Sequence, residues 1–408
     1  MSESAAHMIR LVPVCCPDPA HSSCLGAFGV ALSQTCDGKE WYASTRELQL
    51  ASLQFCAACR GATTLTLRVD RDIPRRLLAA ADAPPPNRKK LCRTRVPRLR
   101  ARRVVWDLPT AAELRTSVYA VAEAREMHFS RKFVESLEGV VWPRCLRILE
   151  VHSGALSSDL SMAGVVWPGS LQRLTFGGRF NQPMEEVVFP ASLVEVSFGF
   201  YFNRSIERIS WPAGLRRLKF LFDFNQPIRA VTWPDSMTQL TLGSTFNRPI
   251  HGVKWPASLL QLTFGYYFDK PIEGVVWPAT LQRLTFGRHF DRPIEGAAWP
   301  DSLRQLTFGE GFDQPIGLVR WPASLEDLHI GTLSGFFMRV PGVRMLSDFN
   351  HPIGGARWPA SLRRLTLGGD FLCSCQRLKS WMPNLEHLTL LPQDRSAYPS
   401  LLGGVEWP

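Results

Sequence analysis

A phenylalanine recurs every 22 residues through the middle of this 408-residue chain, and this spacing constrains the fold more than any other feature. The column consists of Phe180, Phe202, Phe224, Phe246, Phe268, Phe290 and Phe312. A column of tryptophans, each followed by proline, keeps the same step: Trp211, Trp233, Trp255, Trp277, Trp299 and Trp321. A unit this short cannot bury its own apolar side chains, so successive units must stack and share one continuous core.

The unit that keeps the pattern best runs from Phe268 to His289. Within it, residues 281–286 alternate apolar and polar side chains, which predicts a short strand. Equivalent strands would pair in parallel, about 4.8 Å apart. Gly287 ends the strand where the chain turns, while Pro271 and Pro278 exclude a long helix elsewhere in the coil. We therefore predict a mostly β, right-handed solenoid of 22-residue coils with a parallel sheet.

The phrase F-N-x-P-I stands complete at residues 224–228, 246–250 and 349–353. It resembles the FNIP repeat, a 22-residue relative of the leucine-rich repeat, over roughly residues 133–408. The resemblance implies a leucine-rich-repeat-like solenoid that binds proteins and has no catalytic activity. The chain departs from the usual pattern in having Trp before Pro, and in replacing the motif Asn by Asp in three successive units, at Asp269, Asp291 and Asp313.

Stacking places equivalent residues in columns, and each column is either structural or functional. The Phe and Trp columns are predicted to be core, since an exposed aromatic stripe for sugars or bases would not need apolar neighbours in every unit. The motif asparagines are predicted to form a hydrogen-bonded ladder: Asn181, Asn203, Asn225, Asn247 and Asn350. The three motif aspartates are interpreted as solvated turn residues, with a hard cation such as Ca²⁺ between them as the alternative.

The strands offer a candidate recognition surface. Their outward position near the closing Gly is usually Thr: Thr175, Thr241, Thr263, Thr285, Thr307 and Thr366. Beside this column the residues vary from unit to unit, as on a recognition surface or on a neutral solvent face. The candidate partner-binding residues are Arg216, Arg217, Lys219, Gln239, Gln261, Arg283, Gln305, Asp327 and Arg364. We favour the recognition surface.

One irregularity breaks the register, because Phe349 follows Phe312 by 37 residues instead of 22. The extra stretch, residues 334–348, is interpreted either as a shortened coil, with Val340 and the following proline in place of Trp-Pro, or as a loop outside the array. We favour the shortened coil. Phe336 and Phe337 join the candidate partner-binding residues, since an exposed loop that carries them would be a natural contact point.

The composition divides the chain into four regions. Residues 1–78 form a Cys-rich region, 79–103 an Ala/Pro-rich and basic linker, 104–132 a degenerate repeat or cap, and 133–408 the repeat solenoid. Residues 63–69 are a second candidate for a degenerate first repeat or cap. The last two residues, Trp407 and Pro408, fall halfway through a unit. This predicts either that the sequence is truncated there or that an uncapped apolar end associates with another chain.

Two features of the Cys-rich region have functional interpretations. Cys56 and Cys59 have the spacing of a zinc knuckle, although one such pair is fewer than a structural zinc site usually shows, so buried thiols are preferred and no metal or cofactor is expected. Residues 33–44 faintly resemble the last part of an F-box, which implies a ubiquitin-ligase adaptor that binds the F-box-binding subunit of a cullin ligase. Asp37 and Gly38 interrupt the matching phrase.

The net charge of +11 is concentrated in one segment. Residues 1–132 hold 21 Lys/Arg and 12 Asp/Glu, whereas residues 133–408 hold 26 and 24. Residues 87–103 alone carry nine basic residues and no acidic one. We therefore expect no nucleic-acid partner except through the segment from Arg88 to Arg103, which is interpreted as a solvated linker or, alternatively, as a nuclear or RNA-binding signal.

No catalytic motif appears in the sequence: it lacks G-x-S-x-G, a P-loop, H-E-x-x-H and a dinucleotide fingerprint. It also lacks an apolar run of membrane-spanning length and a secretory signal, so no membrane partner and an intracellular location, cytoplasmic or nuclear, are expected. The sequence as a whole predicts a non-enzymatic scaffold that binds proteins. The adaptor role and a nuclear or RNA-associated role are the two alternatives.

Overall fold

The computed structural model describes residues 9–11, 41–43, 66–69, 103–106, 124–130, 133, 136–152, 162–331, 349–353, 355–368 and 381–391. The chain divides into two compact units. Unit 1 comprises residues 1–182 and 186–193, and unit 2 comprises residues 183–185 and 194–408. Both units are built from short strands.

Unit 1 contains seven described strands: β1 (Ile9–Leu11), β2 (Trp41–Ala43), β3 (Thr66–Val69), β4 (Arg103–Trp106), β5 (Glu126–Phe129), β6 (Ile148–Val151) and β7 (Arg173–Phe176). Strands β3 to β7 pair in parallel, each with the next along the chain. Strand β1 pairs antiparallel with β2 and with β3. The parallel pairing thus begins at residue 66, in one of the segments predicted to be a degenerate repeat.

Unit 2 contains nine described strands: β8 (Glu195–Phe198), β9 (Arg217–Phe220), β10 (Gln239–Thr241), β11 (Gln261–Thr263), β12 (Arg283–Thr285), β13 (Gln305–Thr307), β14 (Asp327–Ile330), β15 (Arg364–Gly368) and β16 (His387–Leu391). Each pairs in parallel with the next. From β8 to β14 the paired residues are 22 positions apart, as Leu262 and Leu284 are. The predicted solenoid of 22-residue coils with a parallel sheet is confirmed.

Stacked aromatic rings fill the interior of unit 2. The rings of Phe202, Phe224 and Phe246 are fully buried, and their centroids lie 6.3 Å and 6.2 Å apart in nearly parallel planes. The stack continues in the same way through Phe268, Phe290 and Phe312. Each coil therefore covers the ring of the coil before it, and an apolar ring of this size removes a large area from water.

The tryptophans lie nearer the surface than the phenylalanines. Trp233, Trp277 and Trp321 are buried, whereas Trp211, Trp255, Trp299 and Trp358 are half-buried. Successive indoles stack, with centroids 6.1 Å apart between Trp255 and Trp277. In unit 1, Phe180 is likewise buried. The aromatic columns thus form one side of the core and the strand leucines form the other.

The irregular step from Phe312 to Phe349 leaves the stack unbroken. The two rings lie 6.3 Å apart, β14 pairs directly with β15, and the backbone N–H of Asn350 donates to Asp313 Oδ1 at 2.9 Å. Strands β14 and β15 are thus direct neighbours in the sheet. The shortened coil predicted for residues 334–348 falls outside the described residues and stays a prediction. Residues 332–348, including Phe336 and Phe337, lie outside the described residues.

The motif Asn and Asp side chains form a ladder along unit 2. In each case Oδ1 accepts a hydrogen bond from the backbone N–H of the motif residue in the next coil. The members are Asn203, Asn225, Asn247, Asp269, Asp291 and Asp313, the last bonded to Asn350, with distances of 2.9–3.2 Å. Since only an acceptor oxygen is used, Asp can replace Asn at these positions.

The residue after the motif position in the next coil donates hydrogen bonds to Asp269 and Asp291. Arg292 donates through Nε and Nη2 to the two carboxylate oxygens of Asp269, at 2.9 and 2.6 Å. Gln314 donates its side-chain amide to Asp291 Oδ1 at 2.7 Å. Among the described residues, no group of three or more His, Cys, Asp or Glu is arranged to hold a metal ion. The aspartates therefore serve as ladder acceptors, which accounts for them without the cation considered from the sequence.

Glycine closes the strand where successive backbones approach most closely. A Cβ on Gly265 would lie 1.9 Å from the carbonyl oxygen of Gly243, and one on Gly287 would lie 1.9 Å from that of Gly265. No side chain fits at such a distance, because the clashing atom belongs to backbone that the sheet holds in place. The need for glycine here comes from close approach of the coils.

We predict that Gly287→Ala lowers the free energy of unfolding by about 3 kcal/mol, because the added methyl group forces two coils apart. Gly317→Ala is the matched control, since a Cβ there meets no atom within 4 Å. We expect it to change stability by less than about 0.5 kcal/mol. Urea unfolding followed by circular dichroism compares the two variants, and equal midpoints would contradict the close-contact explanation.

The ladder predicts that Asn247→Asp is tolerated and that Asn247→Ala is not. Aspartate keeps the acceptor for the Asp269 backbone N–H, whereas alanine leaves that N–H without its side-chain partner. We expect a loss of about 1 kcal/mol for alanine and less than half of that for aspartate. Thermal unfolding of the two variants measures the difference. A larger loss for aspartate would mean that charge, and not the missing acceptor, dominates at this position.

Candidate functional site

Each strand of unit 2 presents polar residues outward beside an apolar residue, which is Val196 in β8 and leucine in β9 to β16. We use the term strand face for the surface formed by three columns on β8 to β16. The first column precedes the strand: Val194, Arg216, Thr238, Leu260, Gln282, Arg304, Glu326, Arg363 and Glu386. The second opens it: Glu195, Arg217, Gln239, Gln261, Arg283, Gln305, Asp327, Arg364 and His387. The third follows the leucine: Ser197, Lys219, Thr241, Thr263, Thr285, Thr307, His329, Thr366 and Thr389.

The candidate residues chosen from the sequence gather on this surface. Seven of them are direct register partners in the second column: Arg217, Gln239, Gln261, Arg283, Gln305, Asp327 and Arg364. Lys219 lies in the third column and Arg216 in the first. Phe336 and Phe337 fall outside the described residues. The structure thus brings nine of the eleven candidates onto one face, and their role in binding stays a prediction.

Ion pairs between coils neutralise much of the charge on the strand face. Arg217 Nη1 lies 3.1 Å from Glu195 Oε2, and Arg304 Nη1 lies 2.6 Å from Glu326 Oε1. Two further pairs, Arg364 with Asp327 and Arg363 with Glu386, join β14 to β15 and β15 to β16. The sequence alone did not single out Glu195 and Glu386 as members of this surface, although their spacing from the candidate residues contained the signal.

Strands β10 and β11 carry no charged residue on the strand face, and this part of it is rich in hydrogen-bonding groups. Gln239, Gln261 and Gln305 follow one another in the second column, interrupted by Arg283, and threonines occupy the third column beside them. Thr241, Thr263 and Thr285 are half-buried, and Gln239 is exposed. Amide and hydroxyl groups both donate and accept hydrogen bonds, so this part of the surface can pair with the backbone of a partner.

Two titratable residues in the third column are affected by burial. Burial lowers the pKa of Lys219, and the opposing charge of Glu195 only partly offsets this. Burial also lowers the pKa of His329, whose Nδ1 lies 3.0 Å from the Thr366 hydroxyl. A partly desolvated ammonium group gains more from a carboxylate than a fully hydrated one does. Lys219 already has such a carboxylate beside it, that of Glu195.

An aromatic and charged cluster lies at the carboxyl ends of β11 to β13. Arg288 Nη1 donates to the Tyr266 hydroxyl at 3.0 Å, and its Nε lies 3.3 Å from the buried carboxylate of Glu310. The ring of Tyr267 stacks on His289 with centroids 5.0 Å apart. The sequence alone did not single out Tyr266, Arg288 and Glu310, and it placed His289 at a variable or turn position. Tyr266, Arg288 and Glu310 follow one another at intervals of 22 residues, and this spacing could have indicated that they are neighbours in successive coils.

Unit 1 carries a separate cluster of titratable residues on β5 and β6. Glu150 Oε2 lies 2.6 Å from His128 Nδ1 and 3.3 Å from His152 Nε2. The hydrogen bond to His128, followed by that to His152, lowers the pKa of the Glu150 carboxyl far below its ordinary value. His128 and Glu150 are 22 residues apart and are register partners on β5 and β6. Extending the 22-residue period upstream of Phe133 would therefore have predicted that they lie side by side.

Because the pKa of Glu150 is lowered, we predict that the difference in stability between the wild type and a variant without this carboxylate depends on pH. A carboxylate with a lowered folded-state pKa stabilises the fold above its unfolded pKa of about 4.5, and this contribution is lost as the pH falls further. We expect Glu150→Gln to be less stable than wild type near neutral pH, with the gap closing between about pH 5 and pH 2. Thermal unfolding across this range measures the gap, with Glu186→Gln as an exposed control. A stability difference that stays constant over this pH range would contradict the lowered pKa of Glu150.

No helix in the described part of the chain is long and apolar enough to cross a membrane. A search of curated proteins found no match to this chain. A solved structure titled "The crystal structure of CroV588 a novel circular LRR protein structure" is similar at 23% identity, covering 71% of this chain and 56% of that one, with a TM-score of 0.41. The fold assignment therefore rests on the strand pairing and register, not on that likeness.

The model of the FNIP repeat matches three stretches of the sequence, residues 166–201, 224–267 and 246–289. The last two overlap by one 22-residue unit, as expected for a tandem array. These stretches contain β7, β8 and β10 to β12, with the Phe, Asn/Asp and Trp-Pro positions described above. The resemblance to the FNIP repeat that the sequence shows is confirmed over residues 166–201 and 224–289.

Proposed function

We propose that this protein is a non-enzymatic scaffold and that it binds a protein partner on the strand face of unit 2. The proposal rests on one observation: outward residues that differ from coil to coil are aligned in a single column, and the strand leucines that repeat in every coil are buried. Leu240, Leu262, Leu284 and Leu306, which alternate with these residues along the strands, are fully buried. These buried leucines hold each outward residue at a set spacing. Substitution of an outward residue therefore changes the chemistry of the surface without changing its geometry.

The proposal that the protein is non-enzymatic rests on the kinds of group present. The charged residues of the strand face are largely engaged in ion pairs between coils, and its centre consists of amides and hydroxyls. The sequence also lacks the recognised nucleophile, phosphate-binding and metal-ligating motifs. A regular repeat array with a variable outward column is typical of proteins that bind other proteins through an extended surface.

A photo-crosslinking amino acid placed at Gln261 tests the proposed surface. The same group at Lys254, which is exposed in a Trp-Pro segment away from the strands, is the matched control. We expect the partner recovered with the full-length wild-type chain to crosslink from position 261 and not from position 254, because only the first lies on the strand face. Crosslinking from position 254 alone, or from neither position, would contradict the proposed surface.

The two alternatives from the sequence concern residues almost wholly outside the described ranges. Trp41 of the F-box-like phrase lies in β2, which pairs antiparallel with β1. The adaptor role requires that the full chain bind the F-box-binding subunit of a cullin ligase, and that Trp41→Ala abolish this binding. The nuclear or RNA-associated role requires salt-sensitive binding that is lost when the basic residues of 88–103 are replaced by glutamine.

A further inference from the structure

The turns at the carboxyl ends of the strands in unit 2 carry several exposed aromatic rings. We use the term strand-end rim for the two residues that follow the closing position of each coil: 200–201, 222–223, 244–245, 266–267, 288–289 and 310–311. Phe200, Tyr201 and Tyr267 are 54%, 56% and 45% exposed. Rings of this size are usually buried, so three of them in one row of turns indicate a contact surface.

Backbone hydrogen bonds hold the strand-end rim in the same register as the sheet. In each coil, the N–H of the second rim residue donates to the carbonyl oxygen of the first rim residue one coil earlier. The donors, at 2.8–3.0 Å, are Asp223, Thr245, Tyr267, His289 and Gly311. The rim side chains are therefore presented from a backbone that is already ordered, which lowers the entropy cost of binding.

The aromatic rings form two platforms on this rim. Platform A consists of Phe200, Tyr201 and Phe222. Platform B consists of Tyr266, Tyr267 and His289. In platform A the centroids of the two phenylalanine rings lie 6.3 Å apart, and in platform B the three ring centroids lie 4.8–5.0 Å apart. Each platform thus offers a continuous apolar area to a ligand.

Short side chains separate the two platforms. The coil between them contributes Ser244 and Thr245, whose hydroxyls donate to the carbonyl oxygens of Leu221 and Phe222 at 3.2 and 3.0 Å. These hydrogen bonds hold both side chains against the backbone of the preceding coil, and Ser244 is buried. The two platforms therefore lie on either side of a coil that has no large side chain on the rim.

The negative charge of the rim lies at platform A. Asp223 directly follows Phe222, and its carboxylate forms no hydrogen bond or ion pair with another described residue. The other acidic rim residue is Glu310, whose carboxylate lies 3.3 Å from Arg288 Nε. Arg288 also donates to the hydroxyl of Tyr266, in platform B, at 3.0 Å. A basic group on a ligand is therefore attracted to platform A and not to platform B.

The distance between the platforms matches the repeat of a polyproline II helix. Phe222 and Tyr266 are two coils apart, which amounts to about 10 Å at the spacing of paired strands. A polyproline II helix has three residues per turn, so residues i and i+3 lie about 9.3 Å apart on the same side. An extended strand places residues of one side about 7 or 14 Å apart and fits less well.

We propose that the strand-end rim binds a basic, proline-rich segment of another protein in the polyproline II conformation. Prolines at i and i+3 pack on the two platforms, and a basic residue pairs with Asp223. Aromatic surfaces recognise this conformation because it is preformed and loses little entropy on binding. The peptide carbonyls accept hydrogen bonds from the exposed hydroxyls of Tyr201 and Tyr267. This surface is separate from the strand face, so the inference goes beyond the proposed function.

Two other classes of ligand stack on aromatic rings but fit this charge less well. A neutral oligosaccharide leaves the negative charge of Asp223 without a cation. A single-stranded nucleic acid places its bases on the rings, but its phosphates are repelled by the same carboxylate. A basic peptide alone among the three combines stacking on both platforms with an ion pair at platform A.

Selection of displayed random twelve-residue peptides on the immobilised full-length protein tests the inference. We expect the enriched peptides to carry P-x-x-P with Lys or Arg on one flank. Synthetic copies with the spacing lengthened to P-x-x-x-P should bind about tenfold more weakly, because the second proline then leaves the side that faces the rim. Fluorescence anisotropy measures the binding. Enriched peptides without the spaced proline pair would overturn the inference.

Two double variants locate the binding of the selected peptide. Tyr201→Ala with Tyr267→Ala removes one exposed ring from each platform. Val276→Ala with Leu318→Ala is the matched control, since these apolar residues are 82% and 76% exposed and lie outside the rim. We expect the first variant to bind about tenfold more weakly and the control to bind like wild type. Equal affinities of the two variants would contradict the proposed site.

A double-mutant cycle tests the ion pair with Asp223. The selected peptide and a copy with its basic residue replaced by glutamine are each measured on wild type and on Asp223→Asn. We expect the replacement to weaken binding about threefold on wild type and not on the variant, because a partly exposed ion pair contributes modestly. Equal weakening on both proteins would show that the basic residue binds elsewhere.

Crosslinking separates this inference from the proposed function. With the photo-crosslinking amino acid at Phe200 or at Gln261, we expect the selected peptides to crosslink from position 200 only. Crosslinking from position 261 only would overturn the rim as their site and leave the strand face as the binding surface. A labelled cellohexaose that binds wild type, fails to bind the tyrosine double variant and displaces the selected peptide would show that the rings serve a sugar instead.

Discussion

Hydrogen bonding between residues 22 positions apart is the interaction on which the rest of this structure depends. It sets the parallel register of the strands, and through that register it brings every other column of the repeat into contact. The Phe rings stack about 6 Å apart, the motif Asn and Asp oxygens reach the next backbone N–H, and the closing glycines meet backbone to backbone. A change in the step would misplace all three contacts together. The 37-residue interval before Phe349 is accommodated because it preserves this register on both sides.

The same step organises the surface. A residue on the strand face has its strongest side-chain partners one coil away, as Arg217 has Glu195 and Arg304 has Glu326. Charge on such a surface is therefore a property of columns and not of single coils. Where successive residues of a column are opposite in sign, the charges cancel. Arg216 and Arg283 form no ion pair with a described residue, and they are followed in their columns by Thr238 and Gln305. A surface built in this way can change its chemistry by single substitutions, because the buried leucines beside these residues keep the spacing constant.

Much of the fold was predictable from the sequence, and the reason is periodicity. Recurrent Phe, Trp-Pro and L-x-x-L-x-F positions gave the strand, the parallel sheet and the solenoid, and the FNIP phrase gave the resemblance to that repeat. For the extra residues before Phe349, the sequence by itself is compatible with a shortened coil and with a loop. For the surface, nine of eleven candidate residues lie together on the strand face. The ion pairs of its arginines, and the Tyr266, Arg288 and Glu310 cluster, were missed because single-coil reasoning did not pair positions 22 apart.

The sequence by itself determined the length of the coil, the position of the strand within it, and which residues point inward, because each of these follows from a local alternation repeated many times. Only the tertiary structure decided which cations are neutralised, which coils are neighbours across the long interval, and why aspartate serves as well as asparagine in the ladder. Those outcomes depend on how far side chains reach between stacked coils, and on distances of a few ångströms that arise only when the backbone of one coil is laid against the next.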